Sequence, residues 1–316
     1  MQNISVIVPV YNSENVLPEL IKRLHPVLEK LHCEYELILI NDGSADRSWD
    51  TILQLIEQYQ FIKGINLMRN FGQHNALLCG IRAACYDIIV TIDDDLQHPP
   101  EEIPKLLDKM KAGYDVVYGT PRKGQHGFFR ILASKLTKIA LQTTMGIETA
   151  SKVSAFRAFN THLRNGFRYY NSSFVSIDVL LTWGAIRFTS VITKHDSRQF
   201  GDSNYTFRML FNHALNMMTG FSVLPLQIAS FLGFAVTLFG IIALVFVIAN
   251  FFIRGGGTPG FSFVASIITI FSGTQLFVLG IMGEYLARMH FRIMNKPSYI
   301  IREEFDKEIG VERGII

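Results

Sequence analysis

Cysteine is scarce in this 316-residue chain, and its three residues, Cys33, Cys79 and Cys85, fall at no metal-ligand spacing. That excludes a disulfide scaffold and a thiolate zinc site, and makes the thiols core residues of a reducing compartment. Charge of one sign is lacking too. The formal net charge of +3 gives no strong field for polyanions, so nucleic acid is not an expected partner. The opening MQNISVIVPVYN has no basic leader and only a short, β-branched apolar run, so no secretory signal is expected. Repeats, low-complexity tracts and long charge runs are absent as well. The most informative absence is local. No Asp, Glu, Lys or Arg occurs from Leu224 to Ile253, nor from Gly255 to Gly283.

Each of those runs exceeds the ~20 residues a helix needs to cross the hydrocarbon core. FFIRGGGTPGFS joins them with the single charge Arg254 and with residues suited to a tight turn. The pattern reads as a helical hairpin through a membrane; the other reading, two buried core helices, fits poorly with so long an apolar stretch. Basic residues set the orientation. Arg208 precedes the first run, Arg288, Arg292 and Lys296 follow the second, and both termini are therefore expected on the cytoplasmic side.

The first 120 residues alternate short apolar runs with amphipathic segments. SVIVPV, YELILIND, FIKGINL, DIIVTID and YDVVYG read as strands. Residues 14–31, ADRSWDTILQLIEQY, GQHNALLCGIRAAC and EEIPKLLDKMKAG read as helices, the last opening after a Pro-Pro start with acids in its first turn. This alternation predicts an α/β domain with a mainly parallel sheet covered on both faces, whose ligand sits at the carboxyl ends of the strands. Beyond it, FFRILASKLTKIALQTTM reads as a helix, VSAFRAFN as an edge strand, VSIDVLLTWGA as a helix and RFTSVITKHD as a strand. YTFRMLFNHALNMMTGFSVLP, apolar-rich ahead of the first run, suits a helix lying in the membrane interface. The expected organisation is a cytoplasmic domain over 1–203, an interface helix over 204–223, two spans over 224–285 and a cytoplasmic tail over 286–316.

The unusual residues fall at predicted strand ends. TIDDDLQHPPEE crowds Asp93, Asp94 and Asp95 after an apolar strand. Strand alternation puts Asp93 and Asp95 on one side and Asp94 on the other. The outer pair can converge on one Mg²⁺ or Mn²⁺, with Gln97 adding a neutral oxygen and diphosphate and water completing the shell. The bland alternative is a solvated acidic loop. Strands one and two end in PVYNSEN and INDGSADRS, which bring Pro9, Tyr11, Glu14 and Asp42 to the same edge. A carboxylate there can accept from a base N–H while Tyr11 packs beside the ring; NDGS alone is equally a turn and helix cap. MRNFGQHNA supplies Arg69. Arg122 and Lys123 in YGTPRKGQHG and Arg198 in HDSRQFGDSNY offer guanidinium and ammonium groups to phosphate, or to anionic headgroups. His74 and His98 have no partner at ligand spacing and read as packed or solvated.

Taken in order, VIVPVYNSE, INDGSADRS, RNFGQHNAL, TIDDDLQHPPE, FRAF, RQFGDSNY and LGIMGEYLARMHFRIMNKPSYII resemble the family 2 glycosyltransferases, and within them the polyprenyl-phosphate branch. The resemblance covers nearly the whole chain. It implies a GT-A fold and a metal-dependent, inverting transfer of sugar from a nucleotide-sugar to undecaprenyl phosphate at the bacterial inner membrane. The bacterial-type hairpin favours a uridine-diphosphate donor. By position, Asp93, Asp95 and Gln97 correspond to the metal and diphosphate residues, and Pro9, Tyr11, Glu14, Asp42, Arg69 and Asp94 to the donor pocket. Asp95, Arg122 and Arg198 take catalytic roles, and Ser151, Arg157 and Arg198 lie at the acceptor phosphate. A homotetramer is also within what the branch allows.

One departure stands out. Many relatives carry an acid six positions before the arginine of the FRAF-like segment, and here that residue is Ser151. A phosphate acceptor is already ionised near neutral pH, so no protein base is assigned. A processive polysaccharide synthase is the rival enzyme, but its Gln-x-x-Arg-Trp segment is missing and two spans build no pore. A non-catalytic membrane scaffold that kept the fold is the rival from another class.

Overall fold

The structure, a computed structural model, describes residues 2–121, 153–172, 175–196, 224–254 and 260–306. The five predicted strands of the N-terminal part form as β1 (Ile4–Val10), β2 (Tyr35–Asn41), β3 (Ile62–Leu67), β4 (Ile88–Thr91) and β5 (Val116–Pro121). The predicted helices form as α1 (Leu17–Glu29), α2 (Ser48–Gln58), α3 (Gln73–Ala83) and α4 (Ile103–Lys111), with a 3-10 turn at Pro100–Glu102 leading into α4. Then come β6 (Arg157–Asn160), a short helix α5 (Ile177–Leu181), β7 (Phe188–Thr193), two long helices α6 (Leu224–Arg254) and α7 (Gly260–Ile293), and β8 (Ile301–Asp306).

The strands make one sheet in the order β7-β5-β6-β4-β1-β2-β3-β8. β1 runs parallel to β2 and β4, and β2 to β3, whereas β6 and β8 run against their neighbours. Apolar residues cover both faces. Ile4, Val6, Val8 and Val10 of β1 pack with α1, α2 and α4, while Ile7 packs with α3 and α5 on the other side. Two-sided burial is why these strands read as continuous apolar runs.

The chain order creates a crevice. From β1 it steps through β2 to β3 on one flank, then crosses to β4 on the other, so a switch point lies between the carboxyl ends of β1 and β4. Pairing of β1 with β4 stops at Ile7 and Thr91, although β1 continues beside β2 to Val10. Pro9 sits past that last rung, where its missing N–H leaves no ladder bond unmade.

Two expectations need correction. VSAFRAFN is not an edge strand: β6 is inserted between β4 and β5, antiparallel to both. Its neighbours explain the position, because Phe156, Ala158 and Phe159 are fully buried and fill both faces. The expected C-terminal tail also contributes β8, which pairs with β3. Lys63 Nζ lies 3.0 Å from Glu36 and 3.2 Å from Asp306, and Asn66 Nδ2 donates to Glu303 Oε1 at 2.7 Å. Burial alone lowers the Lys63 pKa, but its bond to Glu36, the charge of Glu36 and its bond to Asp306 outweigh that and raise it. β8 thus meets a cation and an amide on the edge strand rather than a bare edge.

Within α6 and α7, Pro225–Asn250 and Ile270–His290 are long and apolar enough to span a membrane, with mean hydropathies of 2.8 and 1.3. The two helices pack together, with the Phe271 ring over Gly240, where a Cβ would lie 2.3 Å from a ring carbon. Apart from Ala229, the two spans are not buried in the protein core, which does not fit the core-helix alternative. Side chains such as Phe231, Phe234 and Phe246 are instead exposed. The expected interface helix over 204–223 lies outside the described residues.

Arg157 is 1% exposed. Its Nη1 donates to Asp178 Oδ1, its Nε to Thr91 Oγ1 at 3.1 Å, and Tyr118 OH reaches the same Asp178 oxygen at 3.2 Å. Removing one partner of such a pair strands a buried charge at a cost of about 3–5 kcal/mol, whereas replacing both with apolar groups avoids it. Arg157→Ala is therefore expected to lower the unfolding free energy by roughly that amount, and Arg157→Met with Asp178→Leu by much less. Denaturant melts of the three proteins check this.

Candidate active site

The aspartates do not lie in the strand. β4 ends at Thr91, Ile92 N makes one more bond to Ile7 O, and Asp93–Asp95 occupy the turn that follows. Strand alternation therefore does not set their directions, as the sequence argument had it; the turn does. Leu96 fixes the reversal, with φ of +59° and its side chain anchored in the core. A left-handed backbone at a bulky residue is uncommon and is held only where the surroundings over-determine it. Asp95 Oδ1 accepts from Gln97 N at 3.1 Å, which closes the turn.

Each aspartate has a different environment. Asp93 accepts from Gln73 Nε2 at 2.6 Å, at the N-terminal end of α3. Burial, then the charge of Asp95, then that of Asp94, push the Asp93 pKa up to about 7, with Arg157 and Gln73 opposing. Of the two neighbouring charges, that of Asp95 acts on Asp93 more than that of Asp94. Asp94 turns to the loop after β1: its Oδ2 accepts from Tyr11 N at 3.2 Å and from Ser13 Oγ at 2.5 Å. Burial raises its pKa to about 6 against those bonds. The geometry makes Asp94 a holder of the Tyr11–Ser13 loop.

That loop is cross-braced to the loop after β2. Asn12 Oδ1 accepts from Ala45 N at 2.8 Å, Glu14 Oε2 from Arg47 N at 2.9 Å, and Asp46 Oδ2 from Glu14 N at 3.2 Å. Glu14 thus spends one oxygen inside the protein. Tyr11 is half exposed at the crevice mouth.

Asp42, expected in the donor pocket, is held by backbone amides. It is 3% exposed, and its oxygens accept from Phe71 N at 2.7 Å and Gly72 N at 2.8 Å. Burial raises its pKa, with the two amides pulling it back. Its carboxylate clamps the loop after β3 against the loop after β2. Gly43 permits this contact: its φ is +64°, and a Cβ would lie 2.4 Å from the Arg69 carbonyl carbon. Arg69 itself is exposed, its guanidinium 4.7 Å from the Phe71 ring.

Arg157, expected at an acceptor phosphate, is 1% exposed; its charge reaches Asp93, and its Nε and Nη1 are held by protein groups. Arg122, Ser151 and Arg198 lie outside the described residues. The described chain does lead toward two of them. β5 ends at Pro121, and Asp196 N donates to Gln97 O at 2.9 Å, which ties the segment before Arg198 to the aspartate turn. His98 is a packed histidine, stacked on Phe156 and edge-on to His195; burial first, then His195, lowers its pKa to about 4.

Gln73 and Ser13 were not singled out from the sequence. Both sit in segments quoted for other residues, and only the fold shows that they meet the aspartates.

Among the described residues no group of three His, Cys, Asp or Glu side chains is placed to enclose a metal ion. The donor set fits a hard divalent cation that is only partly protein-ligated: Asp93 and Asp95, with Gln97 in the same turn. Burial and the charges of Asp95 and Asp94 oppose ionisation of Asp93, and a bound divalent cation would relieve that opposition.

The chain matches the family described as glycosyl transferase family 2 over residues 5–174, more than half its length. It belongs to glycosyl transferase family 2. Similar folds include glucosyl-3-phosphoglycerate synthase from Mycobacterium tuberculosis, in complex with Mn²⁺, uridine diphosphate and phosphoglyceric acid. That structure aligns with a TM-score of 0.51 and 19% identity, over 69% of this chain and 76% of the other. Its complex with Mn²⁺, uridine diphosphate and glucosyl-3-phosphoglycerate aligns at 0.50 and 19%, over 69% and 78%. The fold of this family 2 member is thus GT-A, with two apolar helices added.

A carboxyl whose folded pKa lies above its unfolded value binds its proton more tightly when folded. Stability of the metal-free protein therefore falls as pH rises from the ordinary carboxylate range toward about 7. A cation competes with those protons and binds the folded state alone. Mn²⁺ is expected to raise the thermal midpoint more at about pH 8 than at about pH 5, and Asp93→Asn to remove most of that difference. Thermal shift assays across pH check it.

Proposed function

We propose that this protein transfers a sugar from a uridine-diphosphate sugar to a polyprenyl phosphate, undecaprenyl phosphate, with inversion, at the cytoplasmic face of a bacterial inner membrane. The observation that carries the reading is the placement of Asp93 and Asp95 in one turn at the end of β4, beside the β1–β4 crevice, in a family 2 chain that also bears two exposed apolar helices. The helices support a membrane acceptor, because water does not tolerate so much exposed apolar surface. Complexes of the similar synthase with Mn²⁺ and uridine diphosphate-glucose support the donor class and the cation, Mn²⁺ or Mg²⁺.

Asp93, Asp95 and Gln97 would hold the cation, which supplies positive charge to the leaving diphosphate. Tyr11 lies open at the crevice mouth to pack beside the base, with Asp94 holding its loop. Arg69 is exposed on the loop clamped by Asp42 and can meet donor phosphate. Arg122 and Arg198 are assigned to stabilising the diphosphate and the acceptor phosphate, an electrostatic role that dominates such transfers. The acceptor's phosphate oxygen attacks the anomeric carbon as the bond to diphosphate breaks. That oxygen is already ionised, so the reaction needs no protein base and Ser151 is no obstacle. Holding the lipid phosphate and the bound donor at one surface removes much of the entropic cost of their meeting. In this reading the bilayer segments are residues 224–285, residues 204–223 lie along the interface, and the catalytic domain is residues 1–203.

The test is incubation of the full-length protein with undecaprenyl phosphate, Mn²⁺ or Mg²⁺ and a panel of nucleotide-sugars, with 3-phosphoglycerate as a competing acceptor. Mass analysis of lipid and aqueous products should show one lipid-linked sugar. Asp95→Asn should lose about a hundredfold or more in rate while remaining folded and membrane-bound. Near-normal turnover in that variant refutes the metal assignment, and sugar found on phosphoglycerate alone refutes the lipid acceptor.

A further inference from the structure

A second polar cavity, of about 610 Å³, lies away from the aspartate turn. Its walls come from the C-terminal end of α3, the segment after β6 and the stretch that follows α7, and include Arg82, Arg164, Arg168, Tyr169, Ser298 and Tyr299. Three guanidinium groups line it, and no carboxylate does among the described residues. α3 separates it from the donor crevice. Gln73 at one end of that helix meets Asp93, while Arg82 is nine residues on, about 14 Å along the axis.

The three arginines are held to different degrees. Arg164 Nη1 donates to Ala84 O, and to Ile81 O at 3.4 Å, at the end of α3. Arg82 donates through Nη2 to Tyr170 O at 2.6 Å and lies 5.6 Å from the Tyr299 ring, while its buried Nε has no hydrogen-bond partner. Arg168 is exposed, 5.8 Å from the ring of Tyr169, which is itself 87% exposed. Positive charge is thus concentrated in a concave site beside an aromatic ring that has no apolar cover.

The position of the cavity relative to α7 points to its ligand. The apolar window of α7 ends at His290 and the helix at Ile293, three residues or about 4.5 Å further. The polar layer of a bilayer is about 5–8 Å deep on each side, so the chain leaves α7 at headgroup depth. There it is sewn to the catalytic domain: Asn171 Nδ2 donates to Asn295 O at 3.3 Å, and Ser298 Oγ donates to Ser172 O at 2.8 Å. Guanidinium forks suit phosphate oxygens, and exposed tyrosines suit the interface.

We propose that this cavity binds the phosphate of an anionic phospholipid headgroup, and so seats the catalytic domain on the bilayer at a site separate from the donor crevice. The assignment rests on the reading of α6 and α7 as membrane spans.

The test uses the full chain in neutral detergent, with dioleoyl phosphatidylglycerol, dioleoyl phosphatidylcholine or inorganic phosphate added, and native mass spectrometry to count bound lipid. Phosphatidylglycerol is expected to bind wild type and phosphatidylcholine not to. Arg168→Gln should weaken binding about fivefold and Arg168→Glu about thirtyfold. Arg168 is exposed, and the bonds of Arg82 and Arg164 survive its replacement; an unchanged thermal midpoint without lipid confirms the fold. Equal phosphatidylglycerol binding by wild type and Arg168→Glu overturns the proposal. Displacement of the lipid by equimolar inorganic phosphate overturns it in favour of a soluble anion site. Flotation with neutral phosphatidylcholine vesicles separates the two readings: a chain that floats but shows no preference for phosphatidylglycerol refutes the cavity alone, and one that does not float refutes the spans and the headgroup together.

Discussion

Repulsion among Asp93, Asp94 and Asp95 at the mouth of the β1–β4 crevice is the constraint from which the rest follows. Three carboxylates in one turn are tolerable only if each is balanced in its own way. Asp94 is satisfied by the β1 loop, through Tyr11 N and Ser13 Oγ. Asp95 closes the turn through Gln97 N. Asp93 takes one amide from Gln73 and otherwise holds its proton to about pH 7. A divalent cation with a diphosphate would displace that proton and answer the charge of Asp93 and Asp95 without further protein ligands.

The scaffold keeps that turn in place from below and beside. Arg157 and Asp178 form a buried pair under it, and Thr91, the last residue of β4, accepts from the same guanidinium. Asp42 performs a comparable task for the loop after β3, where both of its oxygens take backbone amides. Polar residues at the strand ends thus divide into those facing the crevice and those that hold its loops. Residue type alone does not separate the two.

That division explains what was legible in the sequence. Two-sided apolar strands, the helices between them and the apolar pair α6 and α7 follow from periodicity and length, and all appear. The position of β6 was not legible, because a four-residue strand reads alike at an edge or in the middle; only its pairing with both β4 and β5 decides. β8 hid in a charged segment whose partners, Lys63 and Asn66, lie over two hundred residues away. Asp42 and Arg157 were recognisable as unusual, but the two amides that Asp42 accepts and the buried partner Asp178 of Arg157 come from distant segments that only the fold brings near. Gln73 became visible only when α3 brought it to Asp93.

Binding of Mn²⁺ to the purified protein, followed by electron paramagnetic resonance with and without uridine diphosphate, tests the central claim most directly. If Asp93 and Asp95 share one cation with a donor's diphosphate, the nucleotide should tighten Mn²⁺ binding by about tenfold or more, and Asp93→Asn should abolish that gain. An affinity for Mn²⁺ that is indifferent to uridine diphosphate, or untouched by the substitution, would contradict the account.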